Sequence, residues 1–161
     1  MAGASFSRGE LKDTVSLRLN KLDVNIQKLS KYQFDALFSL MCRNDTFVNL
    51  LTGHAKSLIY QLSLLVSCHL STKNSRYHSS PFVLVISPLN SLIADQISSC
   101  NRLGLTACKL DSTNITQAHD FSICYTTPET LETPACLNFI QECGDWLLAV
   151  VVDESHCTVN W

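Results

Sequence analysis

The chain has few of the residues that mark disordered proteins or proteins that bind DNA unaided. Only 16% of its 161 residues are charged, the net charge is −2, and there are five glycines and four prolines. With a hydrophobic share of 46%, this composition is typical of a compact α/β domain and leaves little room for low-complexity linkers. A domain that holds DNA by itself is normally basic, because phosphate neutralisation supplies most non-specific affinity. We therefore expect weak DNA binding at most.

Signals for zinc, secretion and membrane insertion are also missing. The eight cysteines form no C-x-x-C pair, so no zinc site is expected in this segment. No secretory signal peptide opens the chain, which predicts reduced thiols and an intracellular protein that is not secreted. The apolar runs are too short or too interrupted to cross a bilayer, so no membrane contact is expected.

Two helical segments are predicted before residue 42. Apolar residues spaced by three or four from Leu11 to Leu29 indicate one helix face, either continuous or broken near Asn20. We interpret residues 1–29 as an N-terminal helical segment that caps the domain, with a coiled-coil partner site as the alternative. Ser30 can cap a second helix that runs to Met41.

From residue 47 onward, short apolar runs alternate with amphipathic stretches. Strands are predicted at 47–51, 82–86, 106–110, 121–125 and 146–152, and helices at 56–70, 91–103 and from 128 onward. The unbroken run Phe82–Ile86 is typical of a strand that is buried on both faces of a parallel sheet. The alternation predicts a doubly wound, mostly parallel α/β domain over residues 30–161, with ligands at the carboxyl ends of the strands.

A strand, a tight turn and a Lys-Ser pair that opens a helix form the layout of a phosphate-binding loop. Lys56 is expected to reach the outer phosphates of a nucleotide, and the Ser57 hydroxyl is expected to bind Mg²⁺. Of the usual G-x-x-x-x-G-K-[ST] signature, the chain keeps these two residues and Thr52-Gly53 in the turn. An ordinary strand–turn–helix junction is the alternative interpretation.

The two signature glycines are replaced by Leu50 and Ala55. Glycine at the second position allows the backbone to approach the phosphate and often adopts a positive φ. If φ is positive at Ala55, the methyl group costs on the order of 1 kcal/mol or more. We therefore predict weakened ATP binding.

A second apolar run ends in two carboxylates, Asp153 and Glu154. Asp153 is expected to coordinate Mg²⁺ through water, and Glu154 to orient and deprotonate the attacking water. The alternative is that the two acids simply end a strand in solvent. His156 either relays the state of the γ-phosphate to a DNA-contacting loop or covers the end of the strand. The nucleotide hypothesis requires Lys56-Ser57 and Asp153-Glu154 to converge on one magnesium–triphosphate.

Five segments, in order, resemble the motifs of RecQ-like helicases of superfamily 2. Residues 52–62 resemble motif I, 87–96 motif Ia, 127–131 motif Ib and 153–157 motif II, and Gln33 falls where the family has its Q-motif glutamine. The resemblance implies a RecA-like P-loop domain that uses ATP and Mg²⁺. In the intact family, ATP hydrolysis drives 3′–5′ DNA unwinding, which implies a nuclear or other intracellular protein of DNA repair and recombination.

The same resemblance implies roles for three further residues. Gln33 would recognise adenine, since a carboxamide offers a donor and an acceptor that complement N6 and N7. Ser91 and Thr127 would contact the backbone of single-stranded or forked DNA. For Ser91, capping of its own helix is an equally simple explanation.

The chain also departs from the family. Leu51, Ala55 and Ser155 stand where the family has Pro, Gly and Ala, so the chain is expected to be weak or inactive in ATP turnover. The sequence ends at Trp161, before motif III and the second RecA-like domain. We therefore expect a partial domain that does not unwind DNA alone, is marginally stable and exposes an apolar sheet edge.

Two other interpretations stay open. A catalytically dead helicase remnant could bind a protein partner through its N-terminal helix or its exposed sheet edge. A small-molecule P-loop kinase is the other, although such a kinase has no use for the segments Ser87–Gln96 and Asp153–Cys157.

Overall fold

The chain forms two compact units, residues 1–79 and residues 80–161. The structure, a computed structural model, describes residues 6–20, 28–51 and 55–154. The boundary that the sequence predicts between residues 29 and 30 remains a prediction.

The described part of the first unit is helical. It contains α1 (Arg8–Leu19), α2 (Lys31–Met41) and α3 (Ser57–Leu70). α1 ends next to the predicted break at Asn20, and Ser30 caps α2 as predicted. Both α1 and α2 pack against α3, which buries most of its length. The rest of the predicted first helix, residues 21–27, lies outside the described residues.

Aromatic contacts hold the start of α1 on the first unit. The ring of Phe6 stacks on Phe38 with centroids 5.9 Å apart and meets the edge of Tyr77 at 5.7 Å. Arg8 forms an ion pair with Asp35, and its guanidinium lies 4.8 Å from the centroid of the Phe38 ring. These contacts tie the start of α1 to α2 and to Tyr77 within the first unit, while the predicted capping role of residues 1–29 stays a prediction.

In its described part, the second unit is built on a four-stranded parallel sheet. Its elements are β1 (Phe82–Ile86), α4 (Asn90–Arg102), β2 (Ala107–Lys109), β3 (Ile123–Thr126), α5 (Pro128–Leu131), α6 (Pro134–Cys143) and β4 (Leu147–Val152). The strand order is β2-β3-β1-β4, and all pairings are parallel. This arrangement confirms the predicted α/β class and its mostly parallel sheet.

β1 is buried along its whole length, as is β3. All five of its residues are buried, as the unbroken apolar run predicts. The Phe82 ring lies 4.9 Å from Trp146 and meets Phe139 edge-on at 5.5 Å, between ring centroids. Apolar burial around β1 fixes the position of its carboxyl end, at which polar residues of the motifs begin.

The strand predicted over residues 47–51 is wrong. Residues 44–51 form neither helix nor strand. A strand needs a neighbour for its backbone N–H and C=O groups, and none of the four described strands pairs with this segment. Phe47 and Leu51 are 85% and 76% exposed, so the apolar run also lacks the burial that would offset the cost of ordering it.

β4 forms one edge of the described sheet. Its only strand neighbour among the described residues is β1. Val150 and Val152 lie two residues apart on the same face and are 48% and 44% exposed. Among the described residues, these two valines form a half-exposed apolar face of β4, while the exposed apolar sheet edge expected from the sequence stays a prediction.

Among the described residues, no helix combines the length and the apolar character that a bilayer crossing requires.

Candidate functional site

The turn before α3 is strained at Ala55. Its φ is +45°, a left-handed conformation that glycine adopts freely and that crowds the Cβ of any other residue. The condition that the sequence analysis attached to this position, a positive φ, is confirmed. Thr52 and Gly53, the other residues assigned to the turn, lie outside the described residues.

α3 begins without a side-chain cap. Lys56 takes the N-cap position with a helical backbone, and no side-chain cap of this helix is found among the described residues. The N–H of Leu58 donates to the Ala55 carbonyl, and the N–H of Ile59 donates to the Lys56 carbonyl, both at 3.1 Å. Lys56 and Ser57 are half-buried. A helix start of this kind carries partial positive charge and suits a phosphate group.

Gln33 takes part in the cap of α2. The Ser30 N–H donates to Gln33 Oε1 at 2.9 Å, while the Gln33 N–H donates to Ser30 Oγ at 3.2 Å. This capping box occupies one lone pair of the carboxamide oxygen. Gln33 therefore has a structural role that the sequence analysis did not consider, although S-x-x-Q before an apolar run is a recognisable signal for it.

The acidic pair stands at the carboxyl end of β4. The Asp153 N–H donates to the Ile86 carbonyl at 2.9 Å, which extends the pairing with β1 by one residue. Glu154 has a φ of +52°, and its N–H donates to Asp153 Oδ1 at 3.0 Å. The chain therefore turns sharply after Asp153, and both carboxylates are half-buried at the strand end.

Ser87, which the sequence analysis did not select, shares this end of the sheet. Its N–H donates to the Thr126 carbonyl at 2.8 Å. Its hydroxyl is buried and has no hydrogen-bond partner among the described residues. Ser87 directly follows the fully apolar β1, and a polar residue at that place is the sequence signal that could have found it.

Ser91 does not cap α4. The N-cap position belongs to Leu89, and α4 starts at Asn90 with no side-chain cap. Ser91 lies inside the first turn and is exposed. The capping alternative for Ser91 is therefore wrong, because the helix begins one residue earlier than the sequence suggested.

Thr127 stands at the junction of β3 and α5. It is the N-cap residue of α5, and its Oγ1 lies 3.4 Å from Thr130 Oγ1. A hydrogen bond from the Thr127 side chain lowers the pKa of Glu129 from its ordinary value. An ionised carboxylate beside Thr127 opposes the approach of a phosphate.

The predicted site residues fall into both units. Gln33, Lys56 and Ser57 belong to the first unit, and Asp153 and Glu154 to the second. Their convergence on one nucleotide stays a prediction. His156 lies outside the described residues.

Ser57 and Asp153, the two residues predicted to bind Mg²⁺, belong to different units, and their sharing of one metal ion stays a prediction. Among the described residues, no group of three or more His, Cys, Asp or Glu side chains is placed to hold a metal ion. Mg²⁺ is usually bound through one or two protein carboxylates together with substrate phosphates and water. The Asp153 carboxylate is a ligand of this kind, and the Ser57 hydroxyl is a neutral oxygen donor.

The two units carry opposite charge. Residues 1–79 contain ten Lys and Arg against five Asp and Glu, a net charge of +5, whereas residues 80–161 contain two against nine, a net charge of −7. The segments that resemble motifs Ia and Ib lie in the acidic unit. That unit has little basic charge with which to neutralise DNA phosphates.

A family model described as "DEAD/DEAH box helicase" matches residues 30–161. The chain belongs to this family. Its relatives include ATP-dependent helicase wrn-1 of Caenorhabditis elegans, which is 30% identical over 80% of this chain and 12% of that protein. ATP-dependent DNA helicase Q1 of Rattus norvegicus is 31% identical over 84% of this chain and 22% of that protein. ATP-dependent DNA helicase RecQ of Synechocystis is 30% identical over 80% of this chain and 27% of that protein. The RecQ-like resemblance is confirmed.

A solved structure gives the same fold. The crystal structure of a hypothetical ATP-dependent RNA helicase from Sulfolobus tokodaii matches with a TM-score of 0.60, at 13% identity, over 92% of this chain and 43% of that one. The family uses ATP, normally with Mg²⁺, and binds nucleic acid. This chain spans only 12%, 22% and 27% of the three relatives named above.

Proposed function

We propose that this chain is the ATP- and nucleic-acid-binding part of a RecQ-like 3′–5′ DNA helicase, with residues 30–161 as its partial RecA-like domain. The observation that carries the proposal is the start of α3, which is uncapped and begins at the Lys56-Ser57 pair of motif I. The N–H groups of Leu58 and Ile59 already donate to backbone carbonyls, so the helix start attracts an anion through its partial positive charge, to which the adjacent lysine adds a full positive charge.

The triphosphate is bound by residues of motifs I and II. Lys56 neutralises the outer phosphates, and Thr52 and Gly53 supply backbone around them. Ser57 and Asp153 provide oxygen ligands for Mg²⁺, Asp153 through a water molecule. When bound, the metal neutralises charge on the transferred phosphoryl group.

The hydrolytic step depends on Glu154. Its carboxylate accepts a proton from the attacking water and orients that water toward the γ-phosphate. His156 couples the state of the γ-phosphate to the DNA-contacting region. Glu154 itself has a left-handed backbone conformation, with a φ of +52°.

Gln33 recognises the adenine ring. A carboxamide oxygen has two lone pairs, and one of those on Gln33 Oε1 accepts from the Ser30 N–H in the capping box. The carboxamide NH₂ group supplies the donor for adenine N7.

DNA contact through Ser91 and Thr127 is weak in this chain. Both residues lie in the unit with a net charge of −7, and Thr127 has the ionised Glu129 beside it. Unwinding belongs to the longer proteins of the class, in which a second domain closes on ATP. We extend to this protein the nuclear or other intracellular setting and the DNA repair and recombination roles of that class.

Calorimetric titration of the purified chain with ATP and Mg²⁺ tests the proposal. Lys56→Ala is expected to weaken ATP binding roughly tenfold or more, since it removes a charge-assisted contact. Asp153→Asn is expected to remove the Mg²⁺ dependence of binding. The control is Lys73→Ala, which changes an exposed lysine of the same unit. Binding that Lys56→Ala and Asp153→Asn leave unchanged contradicts the proposal.

A catalytically dead remnant is the second candidate, and the strained Ala55 favours it. A methyl group in the left-handed turn of motif I opposes close approach of a phosphate. Under this reading, the chain acts through a protein partner at α1 or at the β4 edge. Absence of ATP binding in the wild-type chain, together with its recovery in Ala55→Gly, distinguishes this candidate from the first.

A further inference from the structure

Two cysteines face each other across neighbouring strands at the edge of the sheet. Cys108 on β2 and Cys124 on β3 are partners in the parallel register. Their Sγ atoms lie 3.3 Å apart. Both are free thiols. The nucleotide-binding role proposed above uses neither of them.

The strand geometry suits a bond between these sulfurs. Register partners on adjacent strands project their side chains to the same side of the sheet, and neighbouring strands lie about 4.7–4.9 Å apart. Disulfides have Cα atoms roughly 4.4–6.8 Å apart and an S–S bond of about 2.05 Å. Side-chain rotation can therefore close the gap between Cys108 and Cys124 while the backbone stays in place.

The two thiols differ in exposure and acidity. Cys108 is half-buried on an edge strand, and Cys124 is fully buried. A hydrogen bond with Cys124 lowers the pKa of Cys108, although burial opposes this effect. The same hydrogen bond and burial raise the pKa of Cys124. Burial also raises the pKa of Cys136, and that of Cys143 to about 11. Cys108 is therefore the nucleophile of this group.

We propose that Cys108 and Cys124 form a peroxide-reactive thiol pair that closes to an intramolecular disulfide. The Cys108 thiolate attacks one peroxide oxygen, the O–O bond breaks, and Cys108 becomes a sulfenic acid. The other oxygen leaves as hydroxide and takes up a proton to become water. The Cys124 sulfur then attacks the Cys108 sulfur, the S–O bond breaks, and the hydroxyl leaves as water with the proton of the Cys124 thiol. Two thiols and one peroxide thus give one disulfide and two waters.

The bond joins the edge strand β2 to β3. It closes a loop that contains the 3₁₀ helix Ile115–Asp120 and the turn between the strands. Because the loop restricts the unfolded chain more than the folded one, oxidation stabilises the second unit and protects β2 from opening. A thiol-dependent device of this kind is independent of ATP binding.

Peptide mapping of the oxidised wild-type protein tests the proposal directly. The chain is treated with hydrogen peroxide, its remaining thiols are blocked with N-ethylmaleimide, and the unreduced protein is digested. Cleavage after Arg102 and Lys109 isolates Cys108, and cleavage after Asp120 and Glu129 isolates Cys124, each as the single cysteine of its peptide. We expect the main oxidised product to consist of these two peptides joined by a disulfide. Its mass is expected to be two hydrogens lower than the sum of the two free peptides. A reductant is expected to release both peptides.

Two variants make the test specific. Cys108→Ser is expected to abolish the linked product. Cys68→Ser removes the exposed cysteine of α3, which the proposal does not use. This variant is expected to form the linked product as the wild type does. After oxidation, its melting temperature is expected to be higher than before oxidation. Recovery of Cys124 as a free thiol while Cys108 is over-oxidised, or a main product that joins Cys108 to another cysteine, overturns the proposal. The wild-type map decides the question even if Cys108→Ser does not fold.

Discussion

Ser30 and Gln33 hold each other through two reciprocal hydrogen bonds at the start of α2, one from each backbone N–H to the other side chain. The residue proposed to recognise adenine is thus also the residue that completes a helix cap. A substitution that removes the whole side chain changes both functions at once. The two roles separate only if the cap is kept and the amide donor is lost.

Gln33→Glu makes this separation. A carboxylate at this helix position accepts from the Ser30 N–H as well as the amide oxygen does and is favoured by the helix dipole. It has no N–H to donate to adenine N7. We expect the free energy of unfolding in urea to change by no more than about 0.5 kcal/mol. The preference for ATP over GTP, measured by competition, is expected to disappear.

The matched variant is Gln33→Ala, which loses the cap as well. It is expected to lower the free energy of unfolding by about 1 kcal/mol, in addition to the loss of base preference. If Gln33→Glu discriminates ATP from GTP as the wild type does, Gln33 serves only the cap.

Ala55→Gly is expected to tighten ATP binding. The left-handed conformation costs a non-glycine residue about 1–2 kcal/mol, and glycine removes this cost. The greater freedom of glycine in the unfolded chain lowers the free energy of unfolding by about 0.4–1 kcal/mol. The free energy of unfolding therefore rises by at most about 1.5 kcal/mol. Calorimetry with ATP and Mg²⁺ and urea unfolding measure the two effects.

The control for this variant is the same chemical change in a helix. Ala94 is exposed within α4, where Ala94→Gly is expected to lower stability by about 1 kcal/mol. If Ala55→Gly and Ala94→Gly lower the free energy of unfolding by the same amount, the backbone at Ala55 is not strained.

Tyr77→Phe is expected to flatten the alkaline loss of stability. Burial raises the pKa of Tyr77, against a smaller lowering effect of Arg76, and the Tyr77 hydroxyl donates to the Met41 carbonyl at 3.3 Å. The folded state therefore holds the phenol proton more tightly than the unfolded chain does. This contribution is complete below about pH 10 and is lost as the pH rises through the folded pKa.

Urea unfolding over a pH series from about 8 to 11 measures this effect, since the range spans the ordinary tyrosine pKa. The slope of the free energy of unfolding against pH is expected to be less steep in Tyr77→Phe than in the wild type. Tyr32→Phe, which changes a tyrosine that is 70% exposed, is expected to keep the wild-type slope. Identical slopes in all three proteins contradict the role of Tyr77.

Features that depend on neighbouring residues were predictable from the sequence. The Ser30 cap, the buried strand Phe82–Ile86 and the strand that ends directly before Asp153 all follow from short patterns. The motif order was sufficient to predict the family and the α/β class. The acidic pair could be placed at a strand end because an apolar run leads directly into it.

Features that depend on distant partners were not predictable. The run 47–51 has a strand-like composition but no described strand beside it, and pairing is a property of the sheet. The register that places Cys108 opposite Cys124 requires two strands separated by the 3₁₀ helix and its turns. The position of Ser87 directly after β1 can be recognised in the sequence, but the burial of its hydroxyl can be known only from the structure around it.

The apolar edge of β4 leads to the last prediction. Val150→Thr and Val152→Thr keep the branched Cβ that suits a strand and reduce the apolar surface of an edge open to other chains. Because both valines are almost half exposed, each change is expected to cost less than about 1 kcal/mol. The double variant is expected to self-associate less in light scattering. Val83→Thr, at a fully buried position of β1, is expected to cost about 1–3 kcal/mol, because its hydroxyl is buried. If the double variant self-associates as strongly as the wild type, the β4 edge does not mediate contact between copies of this chain.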